Sequence, residues 1–126
     1  LTIATSSTTG ITIRSGTSNA GNIYFSDGTS GAAEYRGQVS YLHNEDSLVF
    51  GTDGAERLRI TSTGLINASS NTSAVALPQG TTAQRPTGSA PYIRKNTTNN
   101  ALEYYDGTSW VEIITDYFPT GSVIFS

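Results

Sequence analysis

The stretch VSYLHNEDSLVFGTDGAERLRI, residues 39–60, decides the fold class of this chain. Apolar and aromatic side chains recur at every second position on either side of a polar turn at residues 44–47, and this period of two is that of a β-strand. A second turn follows at residues 51–54, where Asp-Gly favours a tight hairpin because both residues tolerate a positive φ. Residues 56–60 then alternate again. The stretch therefore predicts three antiparallel strands joined by short turns.

The same pattern continues towards the N-terminus. Ile23 and Phe25 flank Tyr24 in a strand that ends at Asp-Gly, and residues 1–20 predict short strands around Leu1, Ile3, Ile11 and Ile13. No segment has the i, i+3, i+4, i+7 apolar spacing of an amphipathic helix. Turn signals recur about every eight to twelve residues, which favours a meander. The predicted fold class is therefore all-β, built from short antiparallel meanders.

A second β unit is predicted after a thin linker. Residues 67–77 are small and polar, and residues 77–91 are expected to form an extended loop because their prolines withhold ladder donors. A three-stranded meander is predicted over residues 92–114, and five side chains are expected to share its buried face: Ile93, Leu102, Tyr104, Val111 and Ile113. The predicted organisation is a β module, a linker, a second β module and the start of a further segment, at residues 1–66, 67–77, 78–116 and 117–126.

The composition predicts a folded chain that shares its cores with other copies. Leu, Ile, Val and Phe make up only about a fifth of the 126 residues, which is little for a monomeric core, while Ser and Thr make up more than a quarter. Seven Tyr, four Phe and a net charge of only −3 argue against disorder. We therefore expect an obligate homo-oligomer.

Composition also disfavours several classes of function. The chain has no Cys, so it has no disulfide and no thiolate ligand or nucleophile. Its apolar runs are too short to span a membrane, and its acidic balance argues against binding nucleic acid or an anionic membrane. No basic region followed by an apolar run opens the sequence, so we expect no signal peptide. The chain begins with Leu and contains no Met, so we expect a fragment of a longer polypeptide.

No catalytic or metal-binding motif is apparent. Glu45 and Asp46 are adjacent carboxylates in a predicted turn, where neighbours point apart, whereas glycosidase carboxylates flank the scissile bond about 5–10 Å apart. His43 is the only histidine, so three copies would have to meet on an axis to form an imidazole metal site, and a hydrogen-bonded structural histidine is favoured. No G-x-S-x-G, G-x-G-x-x-G or P-loop pattern occurs. We expect no enzymatic activity, no metal and no cofactor.

Two arginines are candidates for salt bridges between chains. Arg57 and Arg59 share a strand face and need acidic partners. Glu56 is expected to face the other way, so the candidate partners are Asp46, Asp53 or a neighbouring chain. An anionic-ligand site is the alternative.

Three further residues are candidates for contact with a glycan or another chain. Tyr105 and Trp110 lie across the Asp106-Gly107 turn, either as a cross-strand aromatic lock or as a sugar-stacking platform. Asn99, in the neighbouring predicted turn, is the third candidate. The lock is the favoured interpretation.

Two long stretches resemble modules of bacteriophage tail fibres. Residues 23–66, IYFSDGTSGAAEYRGQVSYLHNEDSLVFGTDGAERLRITSTGLI, are similar to a module of tail fibres from phages, particularly those that infect cyanobacteria. Residues 77–113, LPQGTTAQRPTGSAPYIRKNTTNNALEYYDGTSWVEI, resemble a second fibre module, and FPTGSVIFS at residues 118–126 resembles the entrance to a phage tail collar domain.

The resemblance implies an elongated, intertwined homotrimeric fibre in the virion tail, with no active-site residues. The implied function is structural: the segment links the virion tail to a host-receptor-binding tip and contacts other tail or baseplate proteins. Direct binding of a host surface receptor or glycan is the alternative, and an enzymatic tailspike is disfavoured because the chain is short and poor in acids. The Asp-Gly-Thr-Ser found at residues 27–30 and again at 106–109 is then expected to close a hairpin in each module.

Overall fold

The computed structural model describes residue 6 and residues 8–113. The predicted strand around Leu1 and Ile3 and the collar-like segment at 117–126 lie outside these residues. Within them the chain is all-β, as predicted, with nine strands and two short 3₁₀ helices. The chain divides into two compact units, Leu1–Ala74 and Val75–Ser126, and this division falls inside the predicted linker.

The first unit is an antiparallel sheet in which strands that are consecutive in sequence are also neighbours in space. The five strands lie in the order β1-β2-β3-β4-β5. Their bounds are β1 Ala20–Phe25, β2 Gly37–Leu42, β3 Ser47–Thr52, β4 Ala55–Ile60 and β5 Ile66–Asn67. The alternation at residues 39–60 thus supplies β2, β3 and β4, which confirms the predicted meander.

The turns within residues 39–60 use a left-handed backbone. Asp53 (φ 53°) and Gly54 (φ 69°) form the two-residue turn between β3 and β4, and Asp46 (φ 48°) lies in the turn between β2 and β3. A positive φ at both central residues is the type I′ geometry, whose twist matches that of paired strands. The Asp-Gly signal is confirmed here.

A β-bulge changes the face that β4 residues occupy. Phe50 pairs with Leu58 and Gly51 pairs with Glu56, so Arg57 is an extra residue without a partner on β3. The extra residue interrupts the alternation of the strand. Glu56 therefore lies on the same face as Arg59, and the expectation that it faces the other way was wrong.

The first Asp-Gly-Thr-Ser does not close a hairpin, so this prediction was wrong. The connection between β1 and β2 instead contains a 3₁₀ helix, Gly31–Tyr35. The amide of Asp27 donates to the carbonyl oxygen of Ala33 at 3.0 Å, and a Cβ on Gly28 would lie 2.7 Å from the Cβ of Ala33. The small residues after Ser30 fold back over the turn and lengthen the connection.

Residues 8–19 form no strand, although the sequence predicts one around Ile11 and Ile13. These two side chains are 65% and 47% exposed. The segment has the alternation of a strand, but it adds to no sheet of its own chain.

The second unit is a mixed sheet in the order β6-β7-β8-β9. Its strands are β6 Gln79–Gly80, β7 Tyr92–Asn96, β8 Ala101–Tyr105 and β9 Trp110–Glu112, and a 3₁₀ helix, Thr82–Gln84, comes after β6. The three antiparallel strands β7, β8 and β9 are the predicted meander, and β9 ends two residues earlier than predicted.

Strand β6 was not predicted. Gln79 and Gly80 pair in parallel with Lys95 and Asn96, and the carbonyl of Pro78 accepts the amide of Lys95 at 2.9 Å. Proline lacks a donor but keeps its acceptor, so it is compatible with pairing at a sheet edge. The expectation of an extended loop was therefore wrong at this point.

The interiors of both units are largely polar. Among the described residues, Val49 (3% exposed) is the one hydrophobic side chain that is fully buried. Five polar or charged residues are also buried: Ser40, Ser47, Arg94, Asn96 and Glu103. Most large apolar side chains of the described residues therefore stay at least partly exposed.

Candidate functional site

A carboxylate held by two guanidinium groups lies at the centre of the second unit. Glu103 on β8 is fully buried. Arg85 donates to it twice, from Nη2 to Oε2 at 2.6 Å and from Nε to Oε1 at 3.2 Å. Arg94 Nε lies 3.7 Å from Oε1, and Asn96 Nδ2 donates to Oε2 at 3.0 Å. Both carboxylate oxygens thus have donors, as a buried charge requires.

The donors around Glu103 stabilise its ionised form. The hydrogen bonds from Arg85 lower the pKa of Glu103 below its ordinary value of 4.5, and the Asn96 amide lowers it further, although burial opposes both. The same hydrogen bonds raise the pKa of Arg85. The cluster therefore holds one negative and two positive charges at neutral pH.

Polar contacts also connect this cluster to the loop before β7. Asn96 Nδ2 donates to Thr82 Oγ1 in this loop at 3.0 Å, and Asn96 Oδ1 accepts the amide of Thr98, in the turn after β7, at 2.9 Å. Arg94 Nη2 donates to the carbonyl of Thr81 at 3.3 Å. The 3₁₀ helix at Thr82–Gln84 is thus held against β7 by hydrogen bonds.

Three aromatic rings form a row across β7, β8 and β9. Tyr92 pairs with Tyr105, and Tyr105 pairs with Trp110. The ring centroids of these two pairs are 6.1 and 5.4 Å apart. The guanidinium carbons of Arg85 and Arg94 lie 5.4 and 5.9 Å from the Trp110 ring centroid, within the range of cation–π contacts. Tyr105 and Trp110 thus contact each other across the turn, as an aromatic lock does.

Asn99 lies away from these aromatic rings. It is in the turn between β7 and β8, at the end of these strands opposite to Tyr105, and its amide donates to the carboxylate of Glu112. The structure therefore does not bring the three candidate contact residues into one platform.

The second Asp-Gly-Thr-Ser closes a hairpin, as predicted. The amide of Asp106 donates to the carbonyl of Ser109 at 3.1 Å, and Gly107 has a φ of 102°. The Asp106 carboxylate accepts the amides of Ser109 and Thr108 at 2.8 and 2.7 Å, and these bonds lower the pKa of Asp106. The loop between the paired residues has four members rather than the two of a tight Asp-Gly turn.

Arg59 is the centre of the ion pairs on β4. Its Nη2 and Nε donate to Glu56 at 2.7 and 2.9 Å, its Nη1 donates to Ser47 Oγ at 3.1 Å, and the guanidinium also contacts the carboxylate of Glu45. The hydrogen bonds to Glu56 raise the pKa of Arg59 and lower that of Glu56. Arg59 therefore finds its acidic partners within its own chain.

The two predicted aspartate partners have other roles within the chain. Asp46 accepts a hydrogen bond from the Tyr41 hydroxyl at 3.1 Å, which raises the pKa of Tyr41. Asp53 contacts the guanidinium of Arg36. Within the described chain, neither aspartate pairs with the arginines of β4, and their pairing between chains stays a prediction. Arg57 instead donates to a hydroxyl, Thr52 Oγ1, at 3.0 Å.

Each sheet has one apolar face that the described residues leave partly exposed. In the second unit, Ile93, Tyr104 and Val111 form a cross-strand row, with Leu102 and Ile113 beside it. The prediction that these five share a face is confirmed, but the prediction that the face is buried is wrong for the single chain. Ile93, Tyr104 and Ile113 are 48%, 39% and 41% exposed.

The apolar face of the first unit is larger. One cross-strand row runs through Ile23, Val39, Phe50 and Leu58, and a second row contains Tyr41, Leu48, Ile60 and Ile66. Both rows are free of charged residues. A concavity of about 230 Å³ opens on this face, and His43 lines it with its ring centroid 5.0 Å from that of Tyr41.

Sequence reasoning missed the role of Arg85, Arg94 and Glu103. The alternation of the strands could have revealed this cluster, because it places Arg94 and Glu103 opposite each other on the face that does not carry the apolar residues. The interpretation assigned the buried side to the apolar residues, as is usual. The chain instead buries the charged side beneath residues 81–86.

Searches for related proteins found no match to a protein-family model, a curated protein or a solved structure. Among the described residues, no three His, Asp or Glu side chains group as a metal site. None of the helices in the described ranges has the length and apolar character needed to cross a membrane.

Proposed function

We propose that this chain is a structural segment of a phage tail fibre, which forms a homotrimer and links the virion tail to a receptor-binding tip. The observation that carries the proposal is the exposed apolar face on each of the two sheets. The resemblance of residues 23–66 and 77–113 to tail-fibre modules supports it further.

Other copies of the same chain are the proposed cover for these faces. A domain with one fully buried hydrophobic side chain in its described part gains little from burying its own apolar surface. Obligate interfaces of this kind bury about 2,000 Å² or more and are rich in apolar contacts. The proposed number of three chains comes from the resemblance to tail-fibre modules.

The proposed role is non-enzymatic and is placed in the virion. The charged cluster around Glu103 has its carboxylate saturated by donors and fully buried, so this carboxylate is in no position to act on a substrate. Other tail or baseplate proteins are the proposed neighbours.

Glycan binding is the second candidate, and one observation favours it. A concavity of about 310 Å³ lies beside the aromatic row, and Pro78, Pro86, Tyr92 and Arg94 are among its lining residues. Ligand sites are typically concave and lined by apolar and aromatic side chains with a few polar groups that fix orientation, and this concavity has that composition.

Replacing Trp110 separates the two functions. If the aromatic row is a structural lock, Trp110→Ala destabilises the second unit by about 2 kcal/mol, less than the usual 3–5 for a fully buried Trp because the ring is half-buried. Urea unfolding measures this effect, and Thr108→Ala, in the exposed turn, is the matched control.

A glycan array read with the same two variants gives the deciding result. The structural role predicts no retention of the native chain on any host-type polysaccharide. Specific retention that Trp110→Ala abolishes, with unfolding unchanged, would contradict the scaffold proposal and establish the glycan alternative.

A further inference from the structure

Strand β1 forms an open edge of the first sheet. It pairs with β2 on one side only, and no other strand of the described chain lies on its outer side. The carbonyl of Asn19 accepts the amide of His43 at 3.1 Å, so these two residues form a hydrogen-bonded pair of the ladder. Hydrogen-bonded and non-hydrogen-bonded pairs alternate along an antiparallel ladder. The backbone N–H and C=O groups of Ala20, Asn22 and Tyr24 therefore point away from β2.

This edge lacks the features that normally protect one. Its six residues, AGNIYF, contain no charge, no proline and no bulge, whereas natural edge strands usually carry such features to prevent pairing with another chain. The strand at the opposite edge, β5, has only two residues. The unprotected edge is therefore on β1.

The same chain carries a strand-like segment that has no ladder. Residues 9–14, TGITIR, alternate β-branched side chains, yet they form no strand in the described chain. In its own chain Ile13 lies over the face of the sheet, with its Cγ2 3.4 Å from the position of a Cβ on Gly21. The segment thus does not extend its own sheet beside β1.

We propose that residues 9–14 of one copy pair with the outer edge of β1 in a second copy. Each copy carries both the open edge and the unpaired segment, both six residues long, so each copy donates one strand and accepts one. Such a head-to-tail contact closes into a ring if its rotation allows, and this inference rests on the homotrimer proposed above. The added strand places Ile11 and Ile13 next to Ile23 and Phe25 and extends the apolar face.

Disulfide trapping tests the pairing in the full chain, which has no native cysteine. One chain carries Ile23→Cys and a short tag, and the other carries Ile11→Cys or Ile13→Cys. The two are unfolded, mixed, refolded and oxidised. A disulfide in the mixed dimer necessarily joins two chains, and it requires Cα atoms within about 7 Å.

Thr12→Cys is the matched control, since side chains alternate between the faces of a strand. The inference predicts a strong mixed-dimer band with residue 11 or 13 and loss of that band with residue 12. Equal bands at all three positions, or none, overturn it.

Blocking the edge gives an independent readout. Asn22→Pro removes an amide that points away from β2, so the ladder within the chain is preserved while the outer edge is closed. We expect this variant to lose the trimer in light scattering, and Asn22→Thr to keep it. A trimer that survives Asn22→Pro and shows no crosslink overturns the strand exchange but leaves the fibre proposal standing. A native chain that is a folded monomer overturns both.

Discussion

At the scale of single residues, Glu103 fills the central buried position of the second unit, which in most cores is filled by an apolar side chain. It is fully buried and joins Arg85 from the loop, Arg94 from β7 and Asn96 at the end of β7. Charges buried in this way are sensitive to the loss of one partner, because the remaining charges stay desolvated. The unit is therefore expected to tolerate changes at its surface better than changes in this cluster.

Glu103→Gln should destabilise the second unit by about 3 kcal/mol. This is the lower end of the usual cost of breaking a buried ion pair, because Arg85 keeps 27% of its side-chain surface exposed. Urea unfolding at a fixed protein concentration measures the change. Glu112→Gln makes the same replacement at an exposed position and should cost less than about 0.5 kcal/mol. Equal effects of the two variants would contradict the assigned role of Glu103.

The same carboxylate should make stability depend on pH. Its pKa is lowered in the folded state, so its stabilising contribution is complete above its ordinary value of 4.5 and is lost as the pH falls through the lowered folded value. The stability difference between the native chain and Glu103→Gln should therefore be constant from about pH 7 to pH 5 and shrink below. Unfolding curves across this range provide the measurement, and a difference that does not change with pH contradicts the prediction.

At the scale of the elements, local signals predicted strands and hairpins well but did not predict where a loop folds back. The alternation at residues 39–60 yielded β2, β3 and β4, because turn chemistry and period agree there. The same Asp-Gly-Thr-Ser closes a hairpin at Asp106, where the next residues, Trp-Val, begin a strand. At Asp27 the next residues, Gly-Ala-Ala, begin a 3₁₀ helix, so the connection is longer. A single bulge at Arg57 places Glu56 on the face of Arg59, so Arg59 pairs with Glu56 rather than with an aspartate.

The Asp53-Gly54 turn offers a direct test of the left-handed backbone. Gly54→Ala should destabilise the first unit by about 1–2 kcal/mol, the cost of a left-handed conformation for a residue with a Cβ. Steric crowding contributes little, since the nearest atom to the added Cβ is 3.6 Å away. Gly54→Asn is the control, because Asn adopts a positive φ readily and should recover most of the loss. Thermal unfolding measures the stability of both variants, and an equal loss of stability in Gly54→Ala and Gly54→Asn would contradict the turn assignment.

At the scale of the whole molecule, the sequence predicted which side chains share a face but not which face the chain buries. Ile93, Tyr104 and Val111 line up across three strands, as their alternation requires. Ile93 and Tyr104 remain exposed because no described residue forms a second layer on that side, while residues 81–86 cover the charged side. The alternation of side chains shows which residues share a face of a strand. It does not show which face is covered, because that depends on the other elements and chains that pack against the sheet.

The proposed homotrimer requires that copies of this chain cover each other's apolar faces. The most direct measurement is the mass of the 126-residue chain by static light scattering over a dilution series at micromolar concentrations. We expect a single species of about 40 kDa, three times the 13.3 kDa chain, with a mass that does not change on dilution. A folded monomer of 13.3 kDa at these concentrations would contradict it.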